Sequence, residues 1–107
     1  MNKVVKFGGS SLASAEQFKK VEMIIRADKE RRFVVPSAPG KRSSDDTKVT
    51  DMLYACYELA KNDQDFSEQL QAIKNRYLEI IAGLCLDLSL EEEFQLIEEN
   101  FKKKAGA

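Results

Sequence analysis

The stretch that decides the fold is KVVKFGGSS, residues Lys3–Ser11 at the start of the chain. Its first part favours a short β-strand, because Val4, Val5 and Phe7 are β-branched or aromatic. The two glycines that follow can take positive φ angles, and they let the backbone approach a ligand closely. Backbone N–H groups in such a turn, together with the N-terminus of a following helix, can bind one anion. With the charge of Lys6 beside them, these residues predict a phosphate site.

The same stretch also fits a simpler structure. A strand that ends in Gly-Gly-Ser-Ser is typical of an ordinary surface turn. It is not a P-loop, in which the lysine follows the glycines, and it lacks the GxGxxG pattern of dinucleotide-binding folds. On the residues alone, a phosphate site and a surface turn therefore both stay open.

Length and composition limit the kind of protein this can be. The chain has 107 residues, of which 43% are hydrophobic, and this is enough for one domain with a small core. Its 17 basic and 18 acidic residues nearly cancel. A balanced charge offers no field that would attract nucleic acid or an acidic membrane surface, so we expect neither as a partner.

The two cysteines and the hydropathy pattern indicate a compartment. Cys56 and Cys85 lie far apart in helix-like apolar runs, and the chain has no histidine that could join them as metal ligands. We expect both to be buried thiols in a reducing environment. No signal peptide is visible, and the apolar runs are far shorter than the roughly 20 residues of a membrane span. These features predict a cytoplasmic protein.

A βαβ unit is predicted for the first third of the chain. Ser14 and Gln17 form a capping box that starts a helix, and Phe18, Val21 and Ile25 repeat on one face of it. We expect this helix to end within residues 28–31 and a second strand to cover residues 32–35. A right-handed crossover makes the two strands parallel.

Two glycine-containing segments follow the predicted strands. Ligands gather beyond the carboxyl ends of parallel strands, so Gly8–Gly9 and Ser37–Gly40 should meet in one crevice. Pro36 is unusual here because proline cannot donate to a ladder. Either the strand stops at Val35, or Pro36 stands where no N–H is needed.

The rest of the chain is predicted to be helical. Residues 41–46 lack apolar side chains and should form a mobile loop, followed by a helix that begins near Thr47. Asp63 or Asp65 should cap the next helix, and a second capping box, residues 89–92, should open the last one. The aromatic side chains of these helices are expected to pack in a core.

Three short strings resemble the aspartate kinases. These are Lys6–Ser11, the sequence Ser-Ala-Pro-Gly-Lys-Arg at residues 37–42, and the pair Thr50-Asp51. The resemblance implies an α/β fold, namely the N-terminal part of the αβα sandwich of the amino-acid kinases, with β-α-β followed by three helices. Residues 1–46 would be the part with the phosphate site, and residues 47–107 the helical part.

The resemblance also implies a reaction and a set of site residues. The reaction is transfer of the ATP γ-phosphoryl group to the side-chain carboxylate of L-aspartate, the first step of lysine, threonine and methionine biosynthesis, with Mg²⁺ held mainly by the phosphates. Lys6 would be the catalytic cation that neutralises the transferring group. Gly8, Gly9 and Ser10 would bind the phosphates, while Ser37 and Thr50 would bind aspartate.

The family's kinase domain is more than twice as long as this chain. Its glutamate and arginine for the substrate, its later Gly-Gly-Ser-Asp segment and its adenine pocket have no counterpart here. We therefore expect an N-terminal portion of a homo-oligomeric enzyme, inactive alone. Two alternatives remain: a kinase for N-acetylglutamate or glutamate, and a noncatalytic helical interaction domain formed by residues 47–104.

Overall fold

The computed structural model describes residues 1–106, with side chains through residue 103. The chain forms two strands and four helices, with a 3₁₀ turn at Gly9–Leu12 after the first strand. In order these are β1 (Lys3–Phe7), α1 (Ala15–Arg26), β2 (Arg31–Pro36), α2 (Val49–Lys61), α3 (Ser67–Gly83) and α4 (Glu91–Gly106). This order confirms the predicted β-α-β unit followed by three helices.

The two strands are parallel, and only one face of their sheet is covered. Ladder partners run from Val4 opposite Phe33 to Phe7 opposite Pro36. On the covered face, Phe7 packs in a small core with Leu12 of the 3₁₀ turn and Val21 of α1. The opposite face, which we call the uncovered face, consists of Val4, Lys6, Phe33 and Val35, and all four side chains are exposed.

Pro36 lies inside β2, at a position where its missing N–H costs no bond to β1. The N–H of Ser37 donates to the carbonyl oxygen of Phe7 at 3.1 Å. Because successive N–H groups of a strand point to opposite sides, the nitrogen of Pro36 points away from β1. Of the two predicted alternatives, the second is therefore the correct one.

The larger core lies between α2, α3 and α4. It comprises seven buried side chains, namely Val49, Cys56, Ala60, Phe66, Leu70, Ile73 and Phe94. Two pairs of aromatic rings meet edge to face: Phe66 with Phe101 at 5.5 Å, and Tyr77 with Phe94 at 5.9 Å between ring centroids. The predicted packing role of these aromatic residues is confirmed.

The ends of α2 and α3 decide between Asp63 and Asp65 as the residue at the start of α3, and they correct the prediction for Cys85. Asp63 and Cys85 both have left-handed φ angles, 57° and 54°, just after a helix. In each case the N–H of this residue and that of the next one donate back to the last turn, as with the bond from Gln64 N to Leu59 O at 2.8 Å. Asp63 thus terminates α2, and Asp65 accepts from the N–H of Ser67 at the start of α3.

Cys85 is exposed, contrary to the expectation that both thiols are buried. Its position after the last turn of α3 turns it out of the apolar stripe that its neighbours form. Cys56 is fully buried as predicted, and burial raises the pKa of its thiol. At the start of α4, Ser89 accepts from the N–H of Glu91 at 3.3 Å, one residue earlier than a capping box requires.

Within residues 1–106, no helix combines the length and the apolar character that crossing a membrane requires.

Candidate functional site

Three segments meet at the carboxyl ends of the two strands and enclose a cavity of about 450 Å³, which we call the crevice. The first segment contributes Gly9 and Ser10, which follow β1. The second comprises residues 37–41, which follow β2. The third contributes Lys48 and Thr50 at the beginning of α2. The convergence predicted for the two loops is therefore present, and α2 provides a third wall.

The first two walls are in backbone contact through Gly9 and Gly40. The N–H of Gly40 donates to the carbonyl oxygen of Gly9 at 2.8 Å. A β-carbon on Gly40 would lie 2.6 Å from the carbonyl carbon of Gly9, which is closer than any side chain can approach. Within residues 1–106 no glycine has a positive φ angle. These glycines are therefore needed for close approach between loops and not for an unusual backbone conformation.

The crevice gathers four of the six predicted site residues. Gly9, Ser10, Ser37 and Thr50 all line it. All of them reach it through short segments that leave the sheet or enter α2, so their mutual positions are set by the strands and by the Gly9–Gly40 contact.

The other two predicted residues, Lys6 and Gly8, stand outside the lining. Lys6 is exposed on the uncovered face of the sheet, where its ladder partner is Val35. Gly8 has an extended backbone, with φ −76° and ψ 175°, and a β-carbon there would meet no atom within 4 Å. The roles of all six residues in binding remain predictions.

Two lysines that the sequence reasoning did not select also line the crevice. Lys41 follows the Gly9–Gly40 contact, and Lys48 directly precedes α2. Both side chains are exposed, and neither forms an ion pair with another described residue. The signal was available, because Lys41 is part of the string at residues 37–42 that had been singled out, and Lys48 lies two residues before the pair Thr50-Asp51.

The helix that points its N-terminus at the crevice is α2 and not α1. The N-terminus of α1 is separated from the glycines by the 3₁₀ turn, and Ser14 Oγ caps it by accepting from Gln17 N at 3.4 Å. No side chain caps α2. The first N–H groups of a helix lack partners inside it. That of Val49 donates to the carbonyl oxygen of Pro39 at 3.0 Å, so among the described contacts the N–H groups of Thr50 and Asp51 are those left for an anion.

A buried arginine holds the three walls together. Arg76 of α3 is only 4% exposed. Its guanidinium donates to the carbonyl oxygens of Ala13, Gly40 and Thr47 at 3.2, 2.6 and 2.9 Å. The sequence reasoning missed it, because an arginine in a helix is usually part of the solvated face.

Side-chain contacts hold the loop of residues 41–46 to itself and to α3. The prediction of a mobile loop did not include these contacts. Arg42 Nε donates to Asp46 Oδ2 at 2.6 Å, and another nitrogen of Arg42 donates to Glu79 of α3 at 3.0 Å. The Arg42 side chain and its backbone N–H hold the pKa of the Asp46 carboxyl well below its ordinary value of 3.8. Asp46 therefore stays ionised at neutral pH and keeps the loop closed on itself.

The crevice has the chemistry of an anion site rather than of a metal site. Its lining combines backbone N–H groups, hydroxyls and two lysines, and no carboxylate lines it. Among residues 1–106, no three His, Cys, Asp or Glu side chains are grouped closely enough to hold a metal ion.

Comparison with known proteins supplies a family for this arrangement. Aspartokinase 3 of Bacillus subtilis is 47% identical over 93 residues, which is 87% of this chain and 20% of the relative. The chloroplastic Aspartokinase 1 of Arabidopsis thaliana is 33% identical over 101 residues, 89% of this chain and 17% of the relative. No protein-family model matches.

A solved structure shows the same fold. The crystal structure of the aspartate kinase of Clostridium acetobutylicum superposes with a TM-score of 0.89 at 43% identity, covering 94% of this chain and 23% of that one. These matches confirm the resemblance that residues 6–11 indicated. The chain is therefore homologous to the aspartokinases, and it spans about a fifth of the length of the relatives it matches.

Proposed function

We propose that this chain forms the phosphate-binding and aspartate-binding part of an ATP-dependent aspartate kinase. In that reaction the side-chain carboxylate of L-aspartate attacks the γ-phosphorus of ATP. A phosphorus–oxygen bond to the carboxylate forms as the bond to ADP breaks, and the products are aspartyl phosphate and ADP. The carboxylate is already a nucleophile, so no general base is required.

The observation that carries the proposal is the crevice, in which the two glycine loops and the start of α2 meet. Phosphoryl transfer depends on positioning and on neutralising negative charge, because the protein has little covalent chemistry to perform. The N–H groups near Gly9 and at the start of α2 would bind phosphate oxygens, with Gly8 and Ser10 beside them. Lys41 and Lys48 add positive charge at the same place.

Two assignments in this proposal concern the acceptor substrate. Ser37 and Thr50 face the same crevice from the second and third walls, so their hydroxyls would hold the aspartate close to the phosphates. Neither hydroxyl has to remove a proton, because the attacking carboxylate is already ionised at neutral pH. Both would serve to orient the carboxylate for attack.

Lys6 has a different position and a different proposed role. It lies on the uncovered face of the sheet, at the carboxyl-terminal end of β1 and two residues before Gly8. From there its flexible side chain would reach the transferring phosphoryl group from the face of the sheet opposite α1. A cation in this place neutralises charge as it moves between the two oxygens.

ATP would bring its magnesium with it. Mg²⁺ keeps several water ligands and is commonly bound through substrate phosphates. Such binding fits a crevice that no carboxylate lines. In the complete enzyme we expect the phosphates to supply most of the ligands, and we expect that enzyme to be a homo-oligomer.

A chimera tests the proposal. The 93 matched residues of B. subtilis Aspartokinase 3 are replaced by those of this chain, and aspartate-dependent ADP release is measured together with trapping of aspartyl phosphate by hydroxylamine. We expect activity with L-aspartate and much less with glutamate or N-acetylglutamate. A folded chimera that releases no ADP with aspartate, or that prefers another acceptor, would contradict the proposal.

The isolated chain is the matched control. We expect it to show no aspartate-dependent ADP release, because the groups that orient both substrates are incomplete. Orientation of the reactants lowers the activation free energy of such reactions by up to about 7–11 kcal/mol, and most of this is lost when the orienting groups are missing.

A further inference from the structure

We propose that Arg76 is a positioning residue that sets the spacing of the three walls of the crevice. It acts through backbone carbonyls and lies outside the crevice lining, so it is not a catalytic residue. Its effect on catalysis rests on the function proposed above, whereas its effect on the three walls does not.

Each of the three carbonyls lies in a different wall or within a few residues of it along the chain. Ala13 follows the 3₁₀ turn that begins at Gly9, and Gly40 is the residue in contact with Gly9. Thr47 directly precedes Lys48 at the start of α2. The acceptors are 29, 36 and 63 residues from Arg76 in sequence, so one side chain of α3 joins three distant segments.

Only a guanidinium has the geometry for this task. Its donors form a rigid planar fork with fixed directions, whereas a lysine has one compact ammonium on a flexible stem. In this protein one terminal nitrogen serves Ala13 and Gly40, and the other serves Thr47. Replacement by lysine would keep the positive charge but could not satisfy acceptors that approach from three directions.

Burying the charge of Arg76 costs free energy, and a role in stability alone does not explain why this charge is buried. A buried charge is stabilising only when its partners compensate for the water it has lost, and apolar side chains of similar size often serve as well or better. The nearest carboxylate oxygen, of Asp46, is 3.7 Å away, and Asp46 is already bonded to Arg42. Arg76 Nε has no hydrogen-bond partner among the described residues. A role in fixing the walls explains an arginine that a purely apolar core would not need.

The first test measures the walls directly, in this chain. Amide hydrogen exchange is compared between the wild type and Arg76→Lys. We expect faster exchange in residues 9–14, 38–42 and 46–49 together, while the core of α3 around Leu70 and Ile73 keeps its protection. Arg26→Lys is the matched control, because Arg26 is an exposed arginine of α1 whose ion pair with Glu22 a lysine can keep.

Several outcomes of this experiment would decide against the proposal. If exchange rises throughout the chain, or if Arg76→Lys unfolds it, the arginine serves the whole fold and the proposal is overturned. Ile73→Val shows the exchange pattern of a general loss of stability, since it weakens the core of α3 without affecting the bonds to the three carbonyls. Exchange that rises in fewer than all three walls also overturns the proposal.

The second test measures catalysis in the chimera with Aspartokinase 3. We expect Arg76→Lys to lower kcat at least ten-fold at a temperature well below its melting point, and to raise the KM for aspartate, because Ser37 and Thr50 lie on two of the walls. A general loss of folded protein would also lower the measured rate. The folded fraction is therefore determined separately, and kcat is calculated from the concentration of folded enzyme. If exchange shows that the three walls have loosened but kcat is unchanged, the proposed effect of Arg76 on catalysis is overturned. An inactive wild-type chimera would contradict the proposed function, while the exchange experiment would still decide the role of Arg76.

Discussion

Gly83 at the end of α3 rests directly on Ala15 at the start of α1, so closely that a β-carbon on Gly83 would collide with the β-carbon of Ala15. This contact joins the helix of the βαβ unit to the helical region. It also brings α3 to where Arg76, two turns earlier, bonds to the three carbonyls beside the crevice.

Replacing Gly83 by alanine should destabilise the protein although alanine is the better helix former. Helix propensity favours alanine over glycine by about 1 kcal/mol, but overpacking costs typically about 1–3 kcal/mol. We expect a net loss in the free energy of unfolding, measured by urea denaturation with circular dichroism. The double variant Ala15→Gly/Gly83→Ala should recover most of it. A Gly83→Ala variant more stable than the wild type would contradict the contact.

Substitution by alanine should change the free energy of unfolding in opposite directions at Gly40 and at Gly8. A β-carbon on Gly40 has no room beside Gly9, whereas one on Gly8 meets open space at an ordinary φ angle. We expect Gly40→Ala to lower the free energy of unfolding by about 1–3 kcal/mol. Gly8→Ala should raise it by about 0.4–1 kcal/mol, because it reduces the freedom of the unfolded chain. Thermal melts of both variants check the prediction, and equal effects would refute it.

Acid should remove the contribution of Asp46 to stability. Its folded pKa lies below the ordinary value of 3.8, so the unfolded chain takes up this proton at a higher pH than the folded chain does. The contribution is therefore complete well above pH 3.8 and is lost as the pH falls below it. We expect Asp46→Asn to be destabilising at about pH 6 and progressively less so as the pH falls below 3.8, measured by urea denaturation across this pH range. Asp45→Asn controls for the loss of one negative charge from the same loop.

Lys6→Met should impair the chemical step more than substrate binding. We expect kcat of the chimera to fall about a hundred-fold or more, as it does when a group that stabilises transition-state charge is removed. The KM for aspartate should change far less, because Lys6 acts on charge that moves during transfer. Lys19→Met on the exposed side of α1 is the matched control. A kcat close to that of the unmodified chimera would exclude the assignment.

The uncovered face of the sheet should make the isolated chain associate. Val4, Phe33 and Val35 are 70%, 56% and 48% exposed, and parallel sheets are normally covered on both faces. We expect light scattering to show concentration-dependent association and Phe33→Glu to reduce it. Met23→Glu, at an exposed position of α1, should not have this effect. A monodisperse wild-type monomer with a sharp, concentration-independent melt would show the prediction to be wrong.

The sequence by itself determined the elements and their order. Short-range signals decide these, such as the β-branched run of residues 3–7, the Ser14 cap and the apolar stripe through Val49, Cys56 and Ala60. The convergence of Gly9 and Gly40 also followed from sequence, because the carboxyl ends of parallel strands share one edge. The resemblance carried by residues 6–11 was confirmed by the relatives.

Only the tertiary structure decided which groups face the crevice and what holds it together. Lys6 and Ser10 are four residues apart in sequence, but the pleat of β1 puts one on the uncovered face while the turn puts the other in the crevice. The start of α2, rather than of α1, points at the crevice because the 3₁₀ turn moves α1 away. Arg76 was invisible from local pattern, since its three partners are 29 to 63 residues away and are backbone atoms, which leave no mark in the sequence. Long-range contacts to main-chain atoms depend on where the chain folds back, and residue types alone do not specify that.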